Sequence, residues 1–90
     1  MFPRGNSMEP YLWDGDKILV DCSLEDIISG KVYVFMINGK MRVKVLRPLI
    51  NGLLIRSFNP EIPDETLTAN DLETFKLIGR VRDRAGNSWL

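Results

Sequence analysis

Ninety residues supply one compact domain, because a second core would have too little apolar surface to bury. Apolar residues make up 44% and charged residues 27%, the balance of an ordinary globular chain. Twelve basic residues offset twelve acidic ones, which argues against a domain held to nucleic acid by phosphate neutralisation. The single cysteine, Cys22, has no partner for an intramolecular disulfide, and with no histidine there is no zinc site of the usual kind. No apolar run approaches the ~20 residues needed to cross a bilayer, and Met1 to Asn6 form no apolar signal segment. The expectation is a soluble, cytoplasmic chain with no membrane contact, metal or cofactor. The absence of histidine also rules out a Ser-His-Asp or Cys-His centre, leaving acid–base work to carboxylates, lysines or tyrosines.

In chain order, turn signals cut the sequence into short strand-like pieces. Asp14-Gly15 precedes Lys17-Ile18-Leu19-Val20, which reads as a strand. Ser23 to Ile28 has room for one helical turn with Ser23 as its cap. Ser29-Gly30 opens Lys31 to Ile37, rich in Val, Tyr, Phe and Ile. Asn38-Gly39 is the pair favoured in a type I′ hairpin, and Lys40 to Leu46 is the returning strand. Asn51-Gly52 offers a second such turn before Leu53 to Arg56. Pro60 and Pro63 make Asn59 to Asn70 an irregular connection, long enough to line a cleft. A last strand runs from about Phe75 to Arg82. Several short strands and no sustained helical period predict an all-β domain, a mostly antiparallel sheet or partly closed barrel.

Charge is blocked along the chain. Lys31 to Arg56 carries six basic residues and no acid, and Ser57 to Phe75 carries five acids and no base. This reads as a solvated basic strand face beside an acidic loop, or alternatively as a docking surface.

The stretch richest in chemistry is Gly5-Asn6-Ser7-Met8-Glu9-Pro10. A serine on a constrained turn exposes its hydroxyl, and neighbouring backbone N–H groups can face a developing oxyanion. Alone, such a stretch is an ordinary surface turn. A hydroxyl attacks only when something takes its proton, and here a neutral lysine is the available base. Bringing a lysine from its ordinary range to neutrality costs about 4.6 kcal/mol, so the base must be desolvated. Lys44, inside Met41-Arg42-Val43-Lys44-Val45-Leu46, is the best placed, with Val43 and Val45 facing the other way to anchor the strand. Taken alone, Lys44 reads first as a solvent-facing lysine sharing a face with Arg42.

The order of the pieces says more. Gly5 to Pro10, then Asp14-Gly15-Asp16-Lys17-Ile18-Leu19-Val20-Asp21, Gly30 opening a strand, Val43-Lys44-Val45-Leu46, Ser57-Phe58-Asn59-Pro60 and Ile78-Gly79-Arg80-Val81 resembles one family across the whole chain. It is the peptidase family of LexA-type and lambda-type repressors and UmuD-like mutagenesis proteins, with bacterial signal peptidases more distant. The resemblance implies that Ser7 is the nucleophile and Lys44 its general base, a Ser–Lys variant of triad logic. The backbone N–H of Ser7, with that of Asn6, would form the oxyanion hole. Gly5, Met8 and Pro10 would shape the active-site turn, and Asp14, Gly15 and Asp16 a structural one. Lys31, Val45, Phe58 and Ile62 depart from the usual acid, basic residue, aspartate and tyrosine of the family at those positions, which leaves the substrate groove and the subfamily open.

The implied activity is self-cleavage of the protein's own linker at a small-residue–Gly bond upstream of Ser7, stimulated by RecA filaments. That cut separates an upstream helix-turn-helix domain, which binds operator DNA, from a C-terminal domain that makes the homodimer. On this reading residues 1–90 are a single peptidase and dimerisation domain, with Met1, Phe2, Trp13 and Trp89 as either an apolar patch or part of the core, and Ala85-Gly86 as a turn. The alternatives are a non-cleaving dimerisation module, a signal-peptidase-like enzyme or a UmuD-like accessory protein.

Overall fold

A computed structural model describes Met8, residues 17–23 and residues 26–85. Six strands run in chain order: β1 (Lys17–Asp21), β2 (Lys31–Ile37), β3 (Lys40–Leu49), β4 (Gly52–Arg56), β5 (Glu65–Leu67) and β6 (Lys76–Ala85). They form one sheet in the order β1-β6-β2-β3-β4-β5, with neighbouring strands antiparallel throughout. The all-β reading holds. Of the sheet and the partly closed barrel, the open sheet is what forms, with β1 and β5 as its edges.

The central hairpin is the one the sequence announces. Ile37 pairs with Lys40 across Asn38-Gly39, and both turn residues have positive φ, 51° and 76°, as a type I′ turn requires. Across β2–β3 the strict alternation of strand side chains builds two apolar layers. Val32, Val34 and Val45 go to one face with Met8, Ile18 and Val81. Tyr33, Phe35, Ile37 and Leu46 go to the other with Leu53, Ile55 and Leu67. Val34, Phe35 and Leu46 are completely buried, and each contributes roughly 1.5–3 kcal/mol by the water it leaves. The Phe35 ring also stacks on Phe75 at 5.3 Å between centroids.

Several expectations need correction, among them the end of β3, which runs on to Leu49 rather than stopping at Leu46. The β3–β4 turn is not Asn51-Gly52: Leu49 pairs with Gly52, so Ile50 and Asn51 make the turn and Gly52 begins β4. Gly52 serves close approach, since a Cβ there would lie 2.1 Å from the Leu67 carbonyl oxygen of β5. The irregular connection Asn59 to Asn70 contains the edge strand β5, and a one-turn 3-10 helix follows at Asp71–Thr74. The last strand extends to Ala85, so Ala85 closes a strand; Gly86, Trp89, Met1, Phe2 and Trp13 lie outside the described residues.

Ser23 does not cap a helix. Its N–H and hydroxyl both donate to Asp21 Oδ1, an Asx-type turn at the end of β1, and Asp26 to Ile28 are irregular. Those two bonds hold the Asp21 carboxyl below the usual carboxylate range. Between the charge blocks, two ion pairs tie the basic strands to the acidic segment: Arg42 to Glu65 at 2.8 Å and Arg56 to Asp64 at 3.2 Å. Part of the basic face is therefore neutralised from within.

Candidate active site

Lys44 sits mid-sheet. In the cross-strand row it lies opposite Tyr33, which lies opposite Arg80, which lies opposite Asp21. Continuing the β3–β4 register one step past Val45↔Arg56 brings Ser57 opposite Lys44. The row thus runs Asp21, Arg80, Tyr33, Lys44, Ser57 on one face, the face that also carries Phe35 and Leu46.

Here the structure departs from a solvent-facing lysine. Lys44 does share its face with Arg42, but that face is covered, and Lys44 is only 7% exposed. Val45, on the opposite face, is in the core, and Val43 packs partly buried beside it, as expected. The Lys44 ammonium end donates to Ser57 Oγ at 2.9 Å, and Ser57 is itself 9% exposed. Tyr33, the cross-strand neighbour, has its hydroxyl engaged by the Ile28 N–H at 2.8 Å. Burial pushes Lys44 below the ordinary lysine range; the positive charge of Arg42 adds to this, and Glu65 opposes it. Among the described residues, the hydrogen-bond partner of this lysine is a hydroxyl rather than a carboxylate.

Ser57 is the site residue that sequence reasoning passed over. Nothing in Ser57-Phe58-Asn59-Pro60 marks it for a role, because its meeting with Lys44 depends on hairpin register.

Of the turn residues, Met8 is described: it lies in a turn and is 3% exposed, in the same apolar layer as Val45. Gly5, Asn6, Ser7 and Pro10 lie outside the described residues. The immediate chain neighbours of the two candidate catalytic residues, Met8 after Ser7 and Val45 after Lys44, therefore share one core cluster. No helix among the described residues is long and apolar enough to cross a membrane.

These features define an all-β domain built around a buried lysine on a hydroxyl partner. The chain belongs to the Peptidase S24-like family, whose model matches residues 3–82. It is similar to the HTH-type transcriptional regulator PrtR of Pseudomonas aeruginosa, 39% identical with 93% of this chain and 37% of the relative covered. It is also similar to the repressor protein CI of Enterobacteria phage phi80, at 36% identity over 80% of this chain and 31% of that one. An uncharacterised HTH-type transcriptional regulator of Haemophilus influenzae is 29% identical over 87% of this chain and 33% of its own. The chain spans about a third of the length of these relatives.

Proposed function

We propose that this chain is the C-terminal autoproteolytic and dimerisation domain of a cytoplasmic transcriptional repressor, cutting its own linker with Ser7 and Lys44. The observation that carries the reading is the environment of Lys44: buried, displaced toward the neutral form and hydrogen-bonded to Ser57. A surface lysine has none of these. A base lysine needs all of them, because a carboxylate partner would hold the proton it must lose.

In the proposed reaction Ser7 Oγ attacks the scissile carbonyl carbon while its proton passes to Lys44 Nζ. The oxyanion that forms is met by the backbone N–H groups of Ser7 and Asn6. The C–N bond breaks as Lys44 returns the proton to the leaving amine; water then attacks the acyl ester while Lys44 takes its proton, and Lys44 passes that proton to Ser7 Oγ as the ester C–O bond breaks. Ser57, by accepting one Lys44 N–H, leaves the lone pair of the neutral amine free to point elsewhere. Gly5, Met8 and Pro10 shape the turn that presents Ser7. The shared cluster of Met8 and Val45 supports a close approach of the two backbones, since each lies one peptide, ~3.8 Å, from its catalytic neighbour. The relatives named as a repressor and an HTH-type regulator support the setting of a transcriptional regulator with an upstream operator-binding domain; the homodimer and the RecA filament as activator are part of the proposal.

The test is self-cleavage of the full-length parent at raised pH and with RecA filaments, in wild type, Ser7→Ala, Lys44→Ala and Ser57→Ala. The expected result is loss of cleavage in the first two variants and a fall of about 10- to 100-fold in Ser57→Ala, the effect of one lost orienting hydrogen bond. An uncut wild type under both conditions would instead identify a dimerisation module that keeps the peptidase fold without the reaction.

A further inference from the structure

The acid that most threatens a base lysine here is Glu65. It lies opposite Ile55, and Ile55 lies opposite Leu46, so Glu65 belongs to the cross-sheet row two residues along β3 from Lys44. Arg42 is two residues further from that row on the same strand and face. Yet it is Arg42 that holds the Glu65 carboxylate, Nη2 to Oε2 at 2.8 Å, while Lys44 turns to Ser57. The ion pair therefore spans the row of the lysine without including it. The charge of Glu65 is felt at Lys44 nonetheless, favouring its protonated form.

We propose that Arg42 is a positioning residue for Lys44, clamping the Glu65 carboxylate so that it cannot pair with the lysine and trap its proton. The proposal rests on the reading of Lys44 as the base. Its logic is competition. A guanidinium's planar fork matches a carboxylate better than an ammonium does, so the carboxylate keeps to Arg42 rather than turning to Lys44. The other described groups facing Lys44 offer it no negative charge: Tyr33 on β2 is engaged by Ile28, Arg80 lies on the far side of Tyr33, and Ser57 is a hydroxyl. The ion pair itself is half open to water, with side chains 29% and 52% exposed, so its contribution to folding is small. What it does is decide which cation the acid chooses.

The test reads the lysine directly, by following the 13Cε resonance of Lys44 with pH in this chain carrying labelled lysine. Arg42→Gln releases Glu65 and is expected to raise the midpoint of Lys44 by about one pH unit, a tenfold smaller neutral fraction at neutral pH. Arg42→Gln/Glu65→Gln should return the midpoint to near the wild-type value, and Arg42→Lys, which keeps a cation for the acid, should shift it less than Arg42→Gln. Glu65→Gln alone is expected to lower the midpoint, and this reading remains if Arg42→Gln fails to fold. A midpoint unmoved in Glu65→Gln, or raised equally in Arg42→Gln and the double variant, would overturn the clamp. Cleavage of the parent should follow the same order near neutral pH and converge at high pH, where every variant holds a neutral Lys44. Midpoints that move as expected in a parent that never cleaves would leave the clamp standing and refute the peptidase reading.

Discussion

Replacing Lys44 with methionine should make the domain more stable on the acid side and leave the gain to fade as pH rises. Methionine fills a similar volume without an ammonium group, so the substitution removes the burial cost of the charge and little of the packing. The sign follows from where the proton sits. Burial depresses Lys44 in the folded chain, whereas in the unfolded chain it titrates in the ordinary lysine range. Below the folded midpoint both states hold the proton, and the cost is fully present. Between the two midpoints the native state has lost the proton and the unfolded state still binds it, so wild-type stability climbs with pH, by at most about 1.4 kcal/mol per unit. The variant lacks this climb. Against its gain stands the bond at 2.9 Å that leaves with the lysine, a pH-independent loss of about 1 kcal/mol from the stranded Ser57 hydroxyl. Urea unfolding of both proteins by circular dichroism across mildly acidic to alkaline pH measures the difference. Parallel stability curves would refute the reasoning, for they would mean that Lys44 titrates alike folded and unfolded.

Two further substitutions test the framework that carries the site. Gly52→Ala should cost about 1–3 kcal/mol, because its Cβ meets the Leu67 carbonyl oxygen at 2.1 Å; hydrogen exchange should show the β4–β5 ladder opening while β2–β3 stays protected. Asn38→Ala should cost about 1–2 kcal/mol in thermal or urea unfolding, from a left-handed backbone at φ 51° and loss of the bond from Thr74 Oγ1 at 2.9 Å. Asn38→Gly, which keeps the conformation and drops only the bond, should recover most of that loss.

Strands with local signals were legible; those made by distant contacts were not. Asn38-Gly39 between two β-branched and aromatic runs specifies the β2–β3 hairpin by backbone chemistry alone, and its register follows. The far end of β3, beyond Leu46, carries no such signal, and Pro48 is a residue that strands ordinarily exclude. It is tolerated because β2 begins at Lys31, opposite Leu46, so at Pro48 the strand has a neighbour on one side only. β5 was missed for another reason. Glu65-Thr66-Leu67 has no strand signature between Pro63 and the 3-10 helix, and it becomes a strand by pairing with β4 and burying Leu67. The burial of Lys44 belongs to the same class. A lysine between valines reads as the polar half of an alternating strand until Tyr33 beside it and Ser57 on its ammonium end place it in a buried face.

The partner of Lys44 depends on a single step of register. A turn at Asn51-Gly52 would pair Ile50 with Leu53 and carry Lys44 opposite Asn59. The actual turn at Ile50-Asn51 pairs Leu49 with Gly52 and brings Ser57 there instead. Both registers put the same face of β3 toward the core, so the alternation of apolar and polar positions does not choose between them; what changes is the partner, Leu46 lying opposite Ile55 in the actual register and opposite Ser57 in the other. The turn chemistry points the wrong way as well. Asn-Gly is a strong hairpin signal, but among the described residues neither Ile50 nor Asn51 has positive φ, so this turn needs no glycine. Gly52 is required by the carbonyl of a strand fifteen residues on, in a segment that itself has no strand signature. The hydroxyl that holds the candidate base is thus selected by the docking of β5, and the residue that clamps the nearby acid, Arg42, meets that acid only because β5 docks there.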